Sequence, residues 1–256
     1  MPVESAEELV VRFPQVDGAV PDQDDEWCQV VIDGESRRIR FHDYGEIYEV
    51  PGLYEVIFYE HLKCTSPRVV ASLLERELRR ASVDPGTLRG LDVGAGNGMV
   101  GEELAKLGVA SQVGVDLLQE AADAAERDRP GLYADYVACD LTDLDPTERR
   151  RLEAPSPNLL TTVAALGFDD IPCEAFVTAY DMIADGGWIA FNIKADFLDD
   201  GDGSGFARLV RGMLADGVLE ERARMTYDHR LSIGGRALKY VAIVGVKHAD
   251  ATVERC

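Results

Sequence analysis

The stretch that most constrains this chain is LRGLDVGAGNGMVGEELAKLG, from Leu88 to Gly108. A short apolar run around Leu91, Asp92 and Val93 passes into Gly94, Ala95, Gly96, Asn97 and Gly98, and apolar residues at helical spacing follow. Such a sequence reads as a buried strand that turns sharply into a helix. The glycines supply backbone angles closed to other residues and let a ligand approach closely, while the helix N-terminus presents free N–H groups. Two glycine patterns overlap here. D-x-G-x-G-x-G takes Asp92, Gly94, Gly96 and Gly98 and sets a carboxylate where it can pair with the ammonium of a bound amino acid. G-x-G-x-x-G takes Gly96, Gly98 and Gly101 and is the pyrophosphate pattern of a nicotinamide or flavin dinucleotide.

The sequence after this unit keeps alternating. Strand-like runs at Gly90–Val93, Gln112–Val115, Tyr136–Ala138, Asn158–Leu166 and Gly187–Lys194 are separated by helical patterns at Val100–Lys106, Gln119–Arg127 and Cys173–Gly186. This alternation predicts an α/β fold, a parallel sheet with helices on both faces. After a further helix, FARLVRGMLADG, two strand-like runs meet at Gly234-Gly235 and predict a hairpin that adds an antiparallel strand. Upstream, WCQVVIDGESRRIRF predicts a small hairpin about Asp33-Gly34, preceded by VPDQDDE, an acidic stretch that reads as a linker or loose arm. A tyrosine-dense segment follows, and then a helix with Ser66 as N-cap and Pro67 in its first turn. The chain thus divides into residues 1–66, comprising an arm, a hairpin and a tyrosine-rich lid, and one larger domain over residues 67–256.

Asp116 ends the second strand about 20 residues beyond the glycines, where an acid receives ribose hydroxyls in either glycine pattern. Asp92 separates the two, because an anion beside a pyrophosphate is repelled. Asp140 ends the third strand and is placed to accept from an adenine amino group, with Leu141 beside the ring. Three acids at the carboxyl ends of successive strands converge on one crevice, where open α/β sheets bind ligands. The alternative role for each is to cap the helix that follows.

These residues carry a resemblance. LDVGAGNG, GVD and CDL match the first three motifs of class I S-adenosylmethionine-dependent methyltransferases, and the chain resembles that family from about Leu88 to His248. The resemblance implies a Rossmann-like sheet of seven mostly parallel strands in the order 3-2-1-4-5-7-6, with strand 7 antiparallel. It implies S-adenosylmethionine as cofactor and S-adenosylhomocysteine as product. The loop Gly94, Ala95, Gly96, Asn97 and Gly98 then flanks the methionine part, Asp92 meets its amino group, Asp116 and Leu117 lie at the ribose, and Asp140 and Leu141 at the adenine. GFDDIP and the terminal hairpin are also similar to the Williams-Beuren-region methyltransferase-like branch. A nicotinamide- or flavin-dependent oxidoreductase, a protein methyltransferase and a non-catalytic cofactor-binding module are the alternatives.

The sulfonium is already a strong electrophile, so such an enzyme mainly aligns an acceptor and removes a proton where needed. In the family the loop after strand 4 faces the methyl group, and here it contains Asp169 and Asp170, read as base or substrate anchors, with helix capping as the bland alternative. Tyr44, Tyr48 and Tyr54 of the lid are expected to cover the sulfonium and contact substrate, although aromatic core packing explains them equally. Asn192 and Lys194, at the end of strand 5, complete the expected substrate side. His229 and Arg230 lie near a sheet edge where substrate contacts are often built, and neither is expected to be a catalyst.

Composition narrows the acceptor. With 47 acidic and 26 basic side chains among 256 residues, a net charge of −21, the chain repels nucleic acid over most of its surface. A small molecule or metabolite is the expected acceptor, with no nucleic-acid or membrane partner and a monomer or homodimer as the assembly. The acidic first residues and the lack of a long apolar run predict a cytoplasmic protein. Five scattered cysteines and four histidines show no metal-ligand spacing, and the thiols are expected to be reduced.

Overall fold

Apolar side chains at every position of a strand require cover on both faces, and the central strands here have that character. Leu159–Thr162 is buried throughout, and Trp188–Lys194 is buried except at its last residue. In the computed structural model, which describes residues 9–14, 23–32, 34–166, 171–198 and 205–251, two sheets form. The first joins β1 (Val10–Arg12), β2 (Trp27–Ile32) and β3 (Glu35–Arg40), all antiparallel. Three short elements follow: α1 (Tyr44–Glu49), α2 (Leu53–Glu55) and a π-helical turn over Val56–His61.

The second sheet is built from β4 (Arg89–Val93), β5 (Ser111–Asp116), β6 (Asp135–Ala138), β7 (Leu159–Thr162), β8 (Trp188–Lys194), β9 (Leu219–Leu231) and β10 (Ala237–Lys247). Its order is β6-β5-β4-β7-β8-β10-β9, which is 3-2-1-4-5-7-6 when counted from β4. The first five strands pair in parallel, and β10 runs antiparallel to both β8 and β9.

The helices are α3 (Ser66–Ala81), α4 (Met99–Leu107), α5 (Gln119–Asp128), α6 (Pro146–Glu153), α7 (Cys173–Asp181) and α8 (Phe206–Ala215). α3 buries Val70, Leu73, Leu74 and Leu78 with Val100 and Leu104 of α4 against Trp188, Ala242 and Val244 of the sheet. A separate core joins Leu152 of α6, Phe176 and Tyr180 of α7, and Leu209 and Met213 of α8 to Leu91, Val113, Phe191 and Ile243. Each large side chain so buried contributes about 2 kcal/mol. The N-terminal sheet and lid have a third core, centred on Val30, Ile39, Phe41, Ile47, Leu53 and Ile57.

Four sequence expectations need correction, the last being that the thiols are reduced. Val10–Arg12 is a third strand of the small sheet, where only a two-stranded hairpin was expected. Gln23 and Glu26, at the end of the supposed acidic linker, are buried, because each has a partner on the distant terminal hairpin. Ser66 is the first residue of α3 and not its N-cap; its hydroxyl is used by Tyr227, His229 and Asn192. Cys28, Cys64 and Cys139 are free thiols, whereas Cys173 is disulfide-bonded. No helix among the described residues is long and apolar enough to cross a membrane.

Candidate active site

A cavity of about 460 Å³ opens where the parallel strands end, a volume suited to a nucleoside-sized ligand. Gly94, Asp116, Leu117, Asp140 and Leu141 line it from the ends of β4, β5 and β6, and Ala164, Ala165 and Ile171 from beyond β7. Tyr44, Tyr48 and Tyr54 line it from the lid. Tyr48 is buried with Ala121 and Ala124 of α5, and Tyr44 and Tyr54 pack on the same cluster. The lid is thus seated on the larger domain and forms one wall of the cavity.

The glycine turn is held tightly. The N–H groups of Gly94 and Ala95 both donate to the Val115 carbonyl, and Gly94, Gly96 and Gly98 have φ of +69°, +52° and +93°. A Cβ on Gly94 would stand 2.6 Å from that of Ala165, and one on Gly96 would strike the Tyr48 hydroxyl. Gly101 has a different cause: a Cβ there would meet the Tyr133 ring at 2.6 to 2.9 Å. The third glycine of G-x-G-x-x-G therefore serves the packing of α4 against Tyr133.

Asp116 accepts from the N–H of Gly96 at 3.0 Å and of Leu118 at 3.2 Å. Asp140 accepts from the backbone and hydroxyl of Thr142 at 2.8 and 2.7 Å, and these bonds hold its carboxyl below the usual carboxylate range. These two acids on adjacent strand ends make the cavity floor negative, which favours a cationic ligand.

Asp92 departs from the expected role. It is fully buried and absent from the cavity wall. Its carboxyl accepts from the hydroxyls of Tyr133 and Thr161, both at 2.7 Å. Burial pushes its pKa up to about 6, against the lowering effect of those two hydroxyls. Asp92 thus ties β4 to β7 and to the segment before β6 from behind the turn, and it makes no wall for a ligand ammonium. Asn97 and Gly98 also face elsewhere: Asn97 donates to Glu55 and Asp128, and Gly98 packs against Leu132, Arg129 and Tyr133.

The expected substrate residues split. The three tyrosines come together over the cavity. Lys194 does not join them; it pairs with Asp196 at 3.6 Å. Asn192 is fully buried and serves as a brace. Its Oδ1 accepts from the N–H of Ala164 at 2.6 Å, holding that residue at φ +59° on the turn after β7, and its amide N–H groups reach Ser66 and Tyr227. Asp169 and Asp170, the expected catalytic pair, lie outside the described residues. Leu166 and Ile171, which flank them in the chain, are joined by a β-bridge.

Sequence reasoning missed the wall formed by residues brought from both termini. Glu26 and Arg230, both buried, pair at 2.7 Å. Gln23 donates to the Tyr240 hydroxyl at 3.1 Å, and the ring of His229 packs on Tyr240 with centroids 4.1 Å apart. The available signal was charge: an acid in a supposed linker and a basic residue in a strand, each needing a counterpart once buried.

A seven-stranded sheet in this order, with an antiparallel last strand and a glycine turn beneath the cavity, is the Rossmann-like fold also found in class I methyltransferases. A family model described as a methyltransferase domain matches residues 91–191. Over those residues the chain is similar to methyltransferases. Its fold is similar to that of the N-methyltransferase NodS from Bradyrhizobium japonicum WM9, solved in complex with S-adenosyl-L-homocysteine. That match has a TM-score of 0.54 and 17% identity and covers 81% of this chain and 97% of the other. A second similar structure is an S-adenosylmethionine-dependent methyltransferase from Clostridium acetobutylicum ATCC 824, with a TM-score of 0.51, 12% identity, and 77% and 97% coverage. Among curated proteins none matches this chain.

Proposed function

We propose that this protein is an S-adenosylmethionine-dependent methyltransferase acting on a small molecule held between the strand ends and the tyrosine lid. The observation that carries the reading is the lid itself. Tyr44, Tyr48 and Tyr54 form the cavity wall opposite Gly94, Asp116 and Asp140, so the acceptor enters a walled pocket of limited volume and not a long groove for a protein chain. In this reading Asp116 receives the ribose hydroxyls beside Leu117, Asp140 and Leu141 flank the adenine, and Gly94, Ala95 and Gly96 lie under the methionine part. The tyrosine faces cover the sulfonium, where aromatic rings stabilise a cation. Asp169 or Asp170 supplies a base where the acceptor atom carries a proton. The cofactor brings the reactive methyl group. The protein's own part is to hold the acceptor in line with it and to keep water away. No narrower branch is assigned: GFDDIP includes Gly167–Asp170, which lie outside the described residues.

Isothermal titration with S-adenosylmethionine, S-adenosylhomocysteine and NADH tests the reading. Micromolar binding of the first two and none of NADH is expected. Binding of NADH alone sinks it. Asp169→Asn and Asp170→Asn, tested for turnover once an acceptor is found, are expected to keep cofactor affinity while one of them lowers kcat.

A further inference from the structure

Beyond the main cavity lies a chamber of about 30 Å³ that shares His42, Tyr44, Tyr54, Ala164 and Ala165 with it. It has room for one functional group, not for a molecule. His229 and Arg230 stand in its wall with Cys64, among the rings of Phe41, Phe58 and Tyr240.

The hydrogen bonds behind His229 can be followed outward from the Ala164 N–H. The Ala164 N–H can only donate, so the Asn192 atom it meets at 2.6 Å is the oxygen, and the other branch of that amide is the NH₂ group. That group donates to the hydroxyls of Ser66 and Tyr227. Either hydroxyl of the Tyr227–Ser66 pair, 2.6 Å apart, can donate, and we take Tyr227 as the donor. With both its lone pairs then used, Ser66 has its proton for Nδ1 of His229, also at 2.6 Å, while the Cys64 sulfur lies 3.8 Å from the same nitrogen. Nδ1 is then the acceptor nitrogen of the ring, and the ring proton is on Nε2. Burial and the neighbouring Arg230 keep the imidazole neutral. Tyr240 covers a face of the ring, and among the described residues no group bonds to Nε2.

We infer that His229 presents an Nε2–H donor to this chamber as a specificity-determining residue, and that the methyl acceptor is an uncharged molecule with a carbonyl or amide oxygen seated against it. The inference rests on the methyltransferase reading of the main cavity. An anion is disfavoured because Arg230, the one full cation of the chamber wall, is already neutralised by Glu26. Desolvating a carboxylate there leaves it without a net counter-charge. A cationic amine meets a donor hydrogen at His229. His229 does not serve as base, since its only lone pair is held by Ser66. The reacting atom of the acceptor lies in the main cavity, with the oxygen as its anchor.

Two measurements on the full chain test this. Long-range ¹H–¹⁵N correlation on the ¹⁵N-labelled protein reads the His229 tautomer: a proton on Nε2 is expected, and a proton on Nδ1 overturns the inference. Fluorine NMR titrations with 4-fluoroacetophenone, fluorobenzene and 4-fluorobenzylamine, each with saturating S-adenosylhomocysteine, read the chamber. The ketone is expected to bind roughly tenfold more tightly than the other two, the effect of one hydrogen bond that would otherwise go unmade. His229→Asn, which keeps an atom near Nδ1 and lacks the outer donor, is expected to erase that preference. His229→Gln, whose amide reaches the Nε2 position, retains most of it, and S-adenosylhomocysteine affinity is unchanged in both. No preference for the ketone, or equal losses of ketone and S-adenosylhomocysteine binding in His229→Asn, overturns the inference. If wild-type protein fails to bind S-adenosylhomocysteine, the methyltransferase reading fails instead, and the tautomer still judges the donor.

Discussion

The strand ends of the main cavity and the small chamber beside it are built by opposite strategies. On the strand-end side, each wall residue is placed by its own neighbours in sequence: Gly94 and Asp116 follow directly from β4 and β5, and one backbone carbonyl, that of Val115, holds the turn. The wall of the chamber and the network behind it are assembled from residues far apart in the chain. Gln23 and Glu26 come from the segment before β2, Ser66 from the start of α3, and Tyr227, His229, Arg230 and Tyr240 from the terminal hairpin. The first side carries binding chemistry on a stable frame. The second is a buried polar network whose stability and specificity are the same object.

That contrast predicts a double dissociation. Glu26→Ala strands the buried Arg230 guanidinium and removes the acceptor for the Ile233 N–H, so it is expected to cost about 4 kcal/mol of folding stability. Cofactor affinity in the folded fraction should change little. Asp116→Ala reverses the pattern. With Asp116 at the ribose as proposed, the loss of two charge-assisted bonds is expected to weaken S-adenosylhomocysteine roughly a thousandfold, while stability falls by about 1 kcal/mol. Denaturant unfolding and titration on both variants decide it. If each variant lost both properties alike, the two sides would be one cooperative unit and the contrast would be wrong.

Asp92 gives the next largest effect and sharpens the strand-end side. Its folded-state pKa, about 6, stands above the ordinary value of 3.8, so the native fold favours the protonated form. The stabilisation is fully present below pH 3.8 and is lost as the pH rises through 6. The interval corresponds to about 3 kcal/mol. Asp92→Asn is neutral at every pH, so the stability of wild type relative to this variant is expected to decline by about that amount between pH 4 and pH 7. A flat difference across the window would mean that Asp92 ionises without penalty and that the hydroxyls of Tyr133 and Thr161 outweigh its burial.

The same contrast explains what could be read from sequence. Strand order, the antiparallel closure and the cavity floor were legible because they follow from local periodicity and from residues at strand ends. Asp116 and Asp140 reach the cavity for that reason. Asp92 was misjudged because a strand residue alternates faces: one position earlier than Val93, its side chain points to the opposite face, toward Tyr133 and Thr161. Asn192 was misjudged because an asparagine at a strand end looks identical whether it meets a ligand or the Ala164 backbone. The His229 network was illegible, since its members are separated by up to 163 positions and only the folded hairpin brings them to Ser66.

The smallest expected effect lies where the tyrosine lid meets α5, beside the strand ends. Arg127 of α5 donates to the Tyr48 carbonyl at 2.9 Å and pairs with Asp128, and so ties the lid to the larger domain. The apolar seat of Tyr48 on Ala121 and Ala124 remains when that bond is cut, so Arg127→Ala loosens the lid without detaching it. One half-exposed hydrogen bond is worth about 1 kcal/mol, so S-adenosylhomocysteine is expected to bind about fivefold more weakly, with the melting temperature almost unchanged. Faster exchange of the α1 amides should accompany the loss. Unaltered affinity with faster α1 exchange would show that the lid moves independently of the cofactor, and would confine the tyrosines to the acceptor.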